Sequence, residues 1–94
     1  MRLDWRNQSI TVKGKQILLN RYEFLLFTYL MRHPGWIFSK EELYEAIWKQ
    51  PGEFCGSAVA NVVSQIRRKL RMAGAKQDYI QTVVNSGYRF LKEN

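Results

Sequence analysis

The spacing of apolar residues changes character along the chain, and each change marks a structural boundary. In residues 2–19, Leu3 and Trp5, then Ile10 and Val12, then Ile17 and Leu19 alternate with polar neighbours. Turn signals fall at Asn7-Gln8 and Lys13-Gly14. This predicts short antiparallel strands with one apolar face. From Asn20 the period becomes helical, with Tyr22, Leu25, Leu26, Tyr29 and Leu30 on one side and Phe24, Phe27 and Met31 widening it. Asn20-Arg-Tyr-Glu23 is a capping box that opens this helix. His33-Pro34-Gly35 closes it, because the residue before a proline is pushed out of the α region. His33 reads as a surface terminator. A second box, Ser39-Lys-Glu-Glu42, opens a helix with Leu43, Ala46 and Ile47 inward, while Tyr44 and Trp48 either flank the core or reach outward. Pro51-Gly52 ends it. Residues 79–84 and 88–91 are rich in strand formers around the turn Asn85-Ser86-Gly87, which predicts a C-terminal hairpin.

Between the second helix and the hairpin lie residues 57–72, the stretch with the clearest two-sidedness. At about 100° per residue, Val59, Val62, Val63, Ile66 and Leu70 share one arc. Ser57, Asn61, Ser64, Gln65 and Arg68 share the opposite one, and Arg67, Arg68, Lys69 and Arg71 crowd the C-terminal end. One reading is a helix lying in the major groove of DNA, its amide side chains reading base edges and its basic end meeting phosphate. The other is an ordinary amphipathic helix whose last-turn cations complement the macrodipole. The helix alone leaves both open.

Charge moves the balance. The net charge is +7, and it is unevenly placed. Residues 1–56 hold eight Lys/Arg against six Asp/Glu, whereas residues 57–94 hold seven against two. The basic excess therefore sits in the third helix and the segment C-terminal to it, which points to an anionic partner: nucleic acid first, an acidic membrane surface a distant second. The 94 residues form one small domain. The single cysteine, Cys55, excludes an internal disulfide, fits a reducing cytosol, and reads as a bystander thiol in a loop. No run is apolar enough for a spanning helix or a signal peptide. No Cys–His or Ser–His pair has a suggestive spacing, no Gly-rich phosphate loop is present, and metal ligands are wanting. Glu41, Glu42 and Glu45 fit capping and dipole roles. The sequence thus argues against an enzyme, a metal centre and a bound cofactor.

In these residues the chain resembles the winged helix-turn-helix DNA-binding domain of OmpR/PhoB-type bacterial response regulators. The resemblance covers almost all of it. It is carried by Leu19-Asn-Arg-Tyr-Glu-Phe-Leu-Leu26, Ser39-Lys-Glu-Glu-Leu43 with Trp48, Val59 through Ile66-Arg-Arg-Lys-Leu70, and Tyr79-Ile-Gln-Thr-Val83 with Gly87-Tyr-Arg-Phe90. It implies an α+β fold with a four-stranded N-terminal antiparallel sheet, three helices and a C-terminal hairpin wing. It also implies a cytoplasmic setting as the output half of a two-component regulator, downstream of a receiver domain outside these residues. Double-stranded DNA is the implied partner. Loop 49–56 matches a segment that can contact RNA polymerase, and two domains side by side on direct repeats are expected.

Carried over by position, Trp48, Arg67, Thr82 and Tyr88 match backbone-contacting places. Ser57, Asn61, Ser64, Gln65 and Arg68 occupy the base-reading side, with Arg71 as a further backbone contact. Asn85, Ser86, Gly87 and Arg89 form the wing. The chain departs from the family's usual pattern where arginine or other basic residues are common, having Ser57, Ser64, Gln65 and Val84 there. Two other readings stay open on the residues: a winged helix used for protein contact, and a single-strand RNA binder using exposed aromatics.

Overall fold

In the computed structural model, which describes residues 1–92, strands β1 (Arg2–Asp4), β2 (Ser9–Val12) and β3 (Lys15–Leu18) form an antiparallel sheet in the order β1-β2-β3. Three strands stand where the resemblance implied four. The alternating pattern is exhausted by Leu18, and Asn20 already caps the first helix, so no run is left for a fourth strand. Trp5 also leaves the pattern expected of it. The Asp4 carboxylate accepts from the amides of Arg6 (3.0 Å) and Asn7 (3.1 Å) and from Asn7 Nδ2 (2.8 Å). That turn ends β1 one residue early, and Trp5 lies largely exposed with its ring edge-on to Phe24 at 5.0 Å. Lys13 and Gly14 take φ values of 51° and 80°, as a two-residue hairpin between twisted strands requires.

Helix α1 (Arg21–Met31) and helix α2 (Lys40–Trp48) both open with complete capping boxes. Asn20 Oδ1 accepts from the Glu23 amide at 2.8 Å while Glu23 Oε1 accepts from the Asn20 amide at 3.0 Å. The Ser39–Glu42 pair repeats this at 3.0 and 2.8 Å. The buried face of α1 is Phe24, Leu26, Phe27 and Leu30, against Leu43 of α2 and Val59, Val63, Ile66 and Leu70 of helix α3 (Ala58–Met72). Tyr22 does not join it. Its ring stacks outside on Trp48 at 4.8 Å, and Trp48 stacks in turn on Tyr44 at 5.1 Å. The expected surface role of His33 also changes: it is half-buried among Tyr29, Trp36 and Phe38, with centroids 4.9–5.6 Å away.

The connection from α2 to α3 contains a 3-10 turn, Gly52–Phe54, tied to α2 by the Gly52 amide donating to Glu45 Oε2 at 2.9 Å. Cys55 stays in this loop, as expected, but its side chain is buried as part of the core. Strands β4 (Ile80–Val83) and β5 (Gly87–Phe90) form the C-terminal hairpin, and Val84, expected in the strand, sits in its turn. The turn closes with the Ser86 amide donating to the Val83 carbonyl at 2.9 Å, Asn85 taking φ 63°. The outer edge of β5 is anchored to the segment before α2. The Phe38 and Tyr88 amides each donate to the other's carbonyl at 2.9 Å, and the Gly35 amide donates to the Phe90 carbonyl at 3.0 Å. Only glycine fits at 87. It has φ 138°, and a Cβ there would lie 2.0 Å from the Phe38 carbonyl oxygen. Among the described residues no helix is long and apolar enough to cross a membrane.

Candidate nucleic-acid interface

The period of α3 places its polar side outward as the sequence predicts. Ser57, Asn61, Ser64, Gln65, Arg68 and Arg71 are all exposed, with Ala60 between them, while Val59, Val63, Ile66 and Leu70 anchor the opposite side in the core. The presented strip is narrow and made of short or planar hydrogen-bonding groups, so a helix axis can approach closely to whatever it faces. Its first turn carries no acidic residue, and Ser57 makes no side-chain cap, leaving the positive end of the dipole unneutralised. Asn61 Nδ2 donates to Ser57 Oγ at 3.4 Å, which leaves the amide's second hydrogen and its carbonyl oxygen available.

The cations at the C-terminal end do not form one patch. Each of three is committed within the molecule. Arg67 is half-buried, and its Nη2 donates to the Ile80 carbonyl at 2.7 Å and to Thr82 Oγ1 at 2.8 Å. Lys69 Nζ donates to Glu23 Oε1 at 2.6 Å, and the glutamate side chain is only 3% exposed. Arg68 donates through Nε and Nη2 to Gln65 Oε1 at 3.1 and 2.8 Å. Among the described residues Arg71 alone of the four makes no hydrogen bond or ion pair. The sequence shows a run of four cations; the fold uses Lys69 as a brace and Arg67 as a strut.

That strut brings two expected backbone contacts together. The Ile80 carbonyl and Thr82 lie along the outer edge of β4, so Arg67 fastens the hairpin to α3 on one edge while Phe38 fastens it on the other. Thr82 pairs with Tyr88 in the ladder, on the same face. Both line a cleft of about 390 Å³ between the hairpin and the start of α2, where Ser39, Lys40 and Glu41 form the other wall. Asn85, Ser86 and Gly87 line it too, Asn85 and Ser86 as exposed tip residues and Gly87 as the glycine that permits docking on Phe38.

Arg89 lies elsewhere. It pairs with Gln81, one position off Thr82 and Tyr88 in each strand and therefore on the other hairpin face, and its Nε donates to Gln81 Oε1 at 2.5 Å. Trp48 is apart as well, at the C-terminal end of α2, its ring stacked with both Tyr22 and Tyr44 and half-buried. Lys40 is the residue the sequence reading missed. It opens α2 beside Glu41 and Glu42, and the sequence pattern did not single it out because those two acids already complement the macrodipole.

Comparison with known proteins points the same way. Residues 14–90 match the family described as "Transcriptional regulatory protein, C terminal". The chain is 35% identical to the uncharacterized transcriptional regulatory protein YrkP of Bacillus subtilis over 96% of this chain and 39% of that protein. It is 32% identical to the two-component response regulator PhoP of Pseudomonas aeruginosa, over 96% of this chain and 40% of that one. Among solved structures it is similar to the DNA-binding domain of Klebsiella pneumoniae RstA in complex with the RstA box, with a TM-score of 0.79, 27% identity, and coverage of 95% of this chain and 88% of that chain. The chain spans about a third to two fifths of the length of its curated relatives.

Proposed function

Because the chain belongs to the family of transcriptional regulatory protein C-terminal domains, with the OmpR/PhoB-type winged helix-turn-helix fold, we propose that it binds duplex DNA sequence-specifically to regulate transcription. In this reading it is the output domain of a cytoplasmic two-component response regulator, and it binds without catalysing. The observation that carries the reading is the exposed strip of α3, Ser57-Asn61-Ser64-Gln65-Arg68, set beside a hairpin that Arg67 holds in place. A strip of this width fits the major groove, where amide and guanidinium groups meet base edges. Arg71, the free donors of Arg67, Thr82, Tyr88 and Lys40 then meet phosphate on one flank and the Trp48 indole edge on the other, which sets register without reading sequence. Asn85 and Ser86 reach the adjoining minor groove.

Loop 49–56 is the proposed contact for RNA polymerase, and Phe54, 65% exposed on it, is the side chain that contact would cover. The same exposure, with three cations of α3 engaged internally, favours a second reading in which the domain serves mainly protein contact. Selection of randomised duplexes at low and near-physiological salt separates the two. One motif enriched at both salts supports the reader, and a direct repeat of it supports side-by-side dimers. No duplex retained at either salt refutes DNA binding and leaves protein contact.

A further inference from the structure

We propose that Gln65 and Arg68 act as a single reading unit that selects guanine, and not adenine, at one position of the bound duplex; this deepens the duplex-DNA reading above and rests on it. A free glutamine recognises adenine by donating from Nε2 to N7 while Oε1 accepts from the N6 amino group. Here Oε1 is occupied. It accepts from Arg68 Nε at 3.1 Å and from Arg68 Nη2 at 2.8 Å, and a carbonyl oxygen has two lone pairs for two such bonds. The orientation of the amide is fixed by chemistry, since a guanidinium has only donors and the atom facing it must be the oxygen.

What the pair then presents outward is donors alone: the two hydrogens on Gln65 Nε2 and the unspent N–H groups of Arg68. Both residues are exposed on the presented side of α3, one turn after Asn61 and beside Ser64. In the major groove guanine is the base whose edge offers two acceptors, O6 and N7, with no donor between them. Adenine's N6 amino group would face a donor and stay unpaired, and cytosine offers a donor only. Asn61 makes the contrast within the same helix. Its carbonyl oxygen is unengaged, so it keeps the donor–acceptor pair that adenine requires.

Selection of randomised duplexes against the wild-type chain, Arg68→Ala and Gln65→Ala tests this. The wild type is expected to fix guanine at a position that loses preference in Gln65→Ala. Arg68→Ala releases Oε1, and the same position is expected to move toward adenine, changing the guanine-to-adenine ratio about tenfold or more. Adenine at that position in the wild type, or an identical preference with and without Arg68, overturns the proposal while leaving duplex reading intact. A chain that enriches no motif overturns the reading on which the proposal stands.

Discussion

Arg67 is the residue whose replacement separates architecture from recognition most cleanly. In Arg67→Ala the Ile80 carbonyl and Thr82 Oγ1 lose a charged donor at 2.7 and 2.8 Å. Hydrogen bonds to charged groups contribute about 1.5–3 kcal/mol each. Both bonds come from one nitrogen, and Thr82 is exposed, so water recovers part of the loss. A destabilisation of about 2 kcal/mol is the working value. For a domain of this length that lowers Tm by roughly 8–16 °C. If Arg67 meets phosphate as proposed, the same change should weaken binding to all sequences alike and flatten the salt slope by about one unit.

Arg67→Lys pulls the two roles apart. Lysine keeps the charge but, as a point donor on a flexible stem, does not reproduce the planar reach to two acceptors. Less than half of the lost stability should return, and all of the salt slope. Thermal unfolding followed by tryptophan fluorescence reads the first quantity, and fluorescence anisotropy on one duplex across a salt series reads the second. A Tm for Arg67→Ala within about 2 °C of wild type would refute the strut, since even one hydrogen bond exceeds that. An unchanged slope in both variants would refute the phosphate contact and leave Arg67 purely structural.

Three other substitutions probe the brace, the hairpin dock and the first turn. Lys69→Met leaves the Glu23 carboxylate, 3% exposed, without its ion-pair partner and should cost roughly 3 kcal/mol in urea unfolding while the DNA salt slope stays unchanged. Gly87→Ala forces a Cβ to 2.0 Å from the Phe38 carbonyl oxygen, so the hairpin must undock. Hydrogen exchange at the Phe38 and Tyr88 amides should then accelerate at least tenfold, about 1.4 kcal/mol, and unchanged protection would contradict the docking geometry. The Asn7 amide and side chain, with the Arg6 amide, hold the Asp4 carboxyl below its ordinary value of 3.8. A lowered folded-state pKa stabilises above the unfolded value and is lost as pH falls through the folded one. The first turn should therefore loosen only below about pH 4, and Asp4→Asn should abolish that pH dependence in NMR shifts of residues 5–8.

Local rules were enough for much of this molecule. The capping boxes at Asn20 and Ser39 form both reciprocal bonds because each involves residues three apart. The presented side of α3 was legible because a period of 3.6 fixes which residues face apart. What was not legible joins distant positions. Nothing near Lys69 in the chain reveals Glu23, 46 residues away, and the Arg67 bonds cross 13 and 15 residues. Tyr22 carried the right spacing for the core but sits at its rim, where Trp48 offers a flat ring. Cys55 is buried with its thiol toward the Lys40 carbonyl, 15 residues away, a contact that composition does not encode.

These distant contacts also change what the net charge means. Taken at face value, +7 invites a steep salt dependence, about −6 if every excess cation met a phosphate, at about −0.9 per contact. The fold does not gather those cations on one surface. Lys69 is neutralised by Glu23, and Arg89 is on the far hairpin face with Gln81. Lys40, Arg67, Arg68 and Arg71 remain on the proposed surface, of which Arg68 is bonded to Gln65 and Arg67 to β4. With Arg68 on a base edge, Lys40, Arg67 and Arg71 leave two or three phosphate contacts per domain, for a slope of about −2 to −3. In the proposed complex Thr82, Tyr88 and Trp48 would add positioning without releasing ions, because neutral donors displace no counterion. Titration of one selected duplex from low to physiological salt measures the slope directly. A value of about −4 or steeper would mean that Lys69 and Arg89 abandon their internal partners on binding, and that the bound arrangement does not keep the Lys69–Glu23 brace.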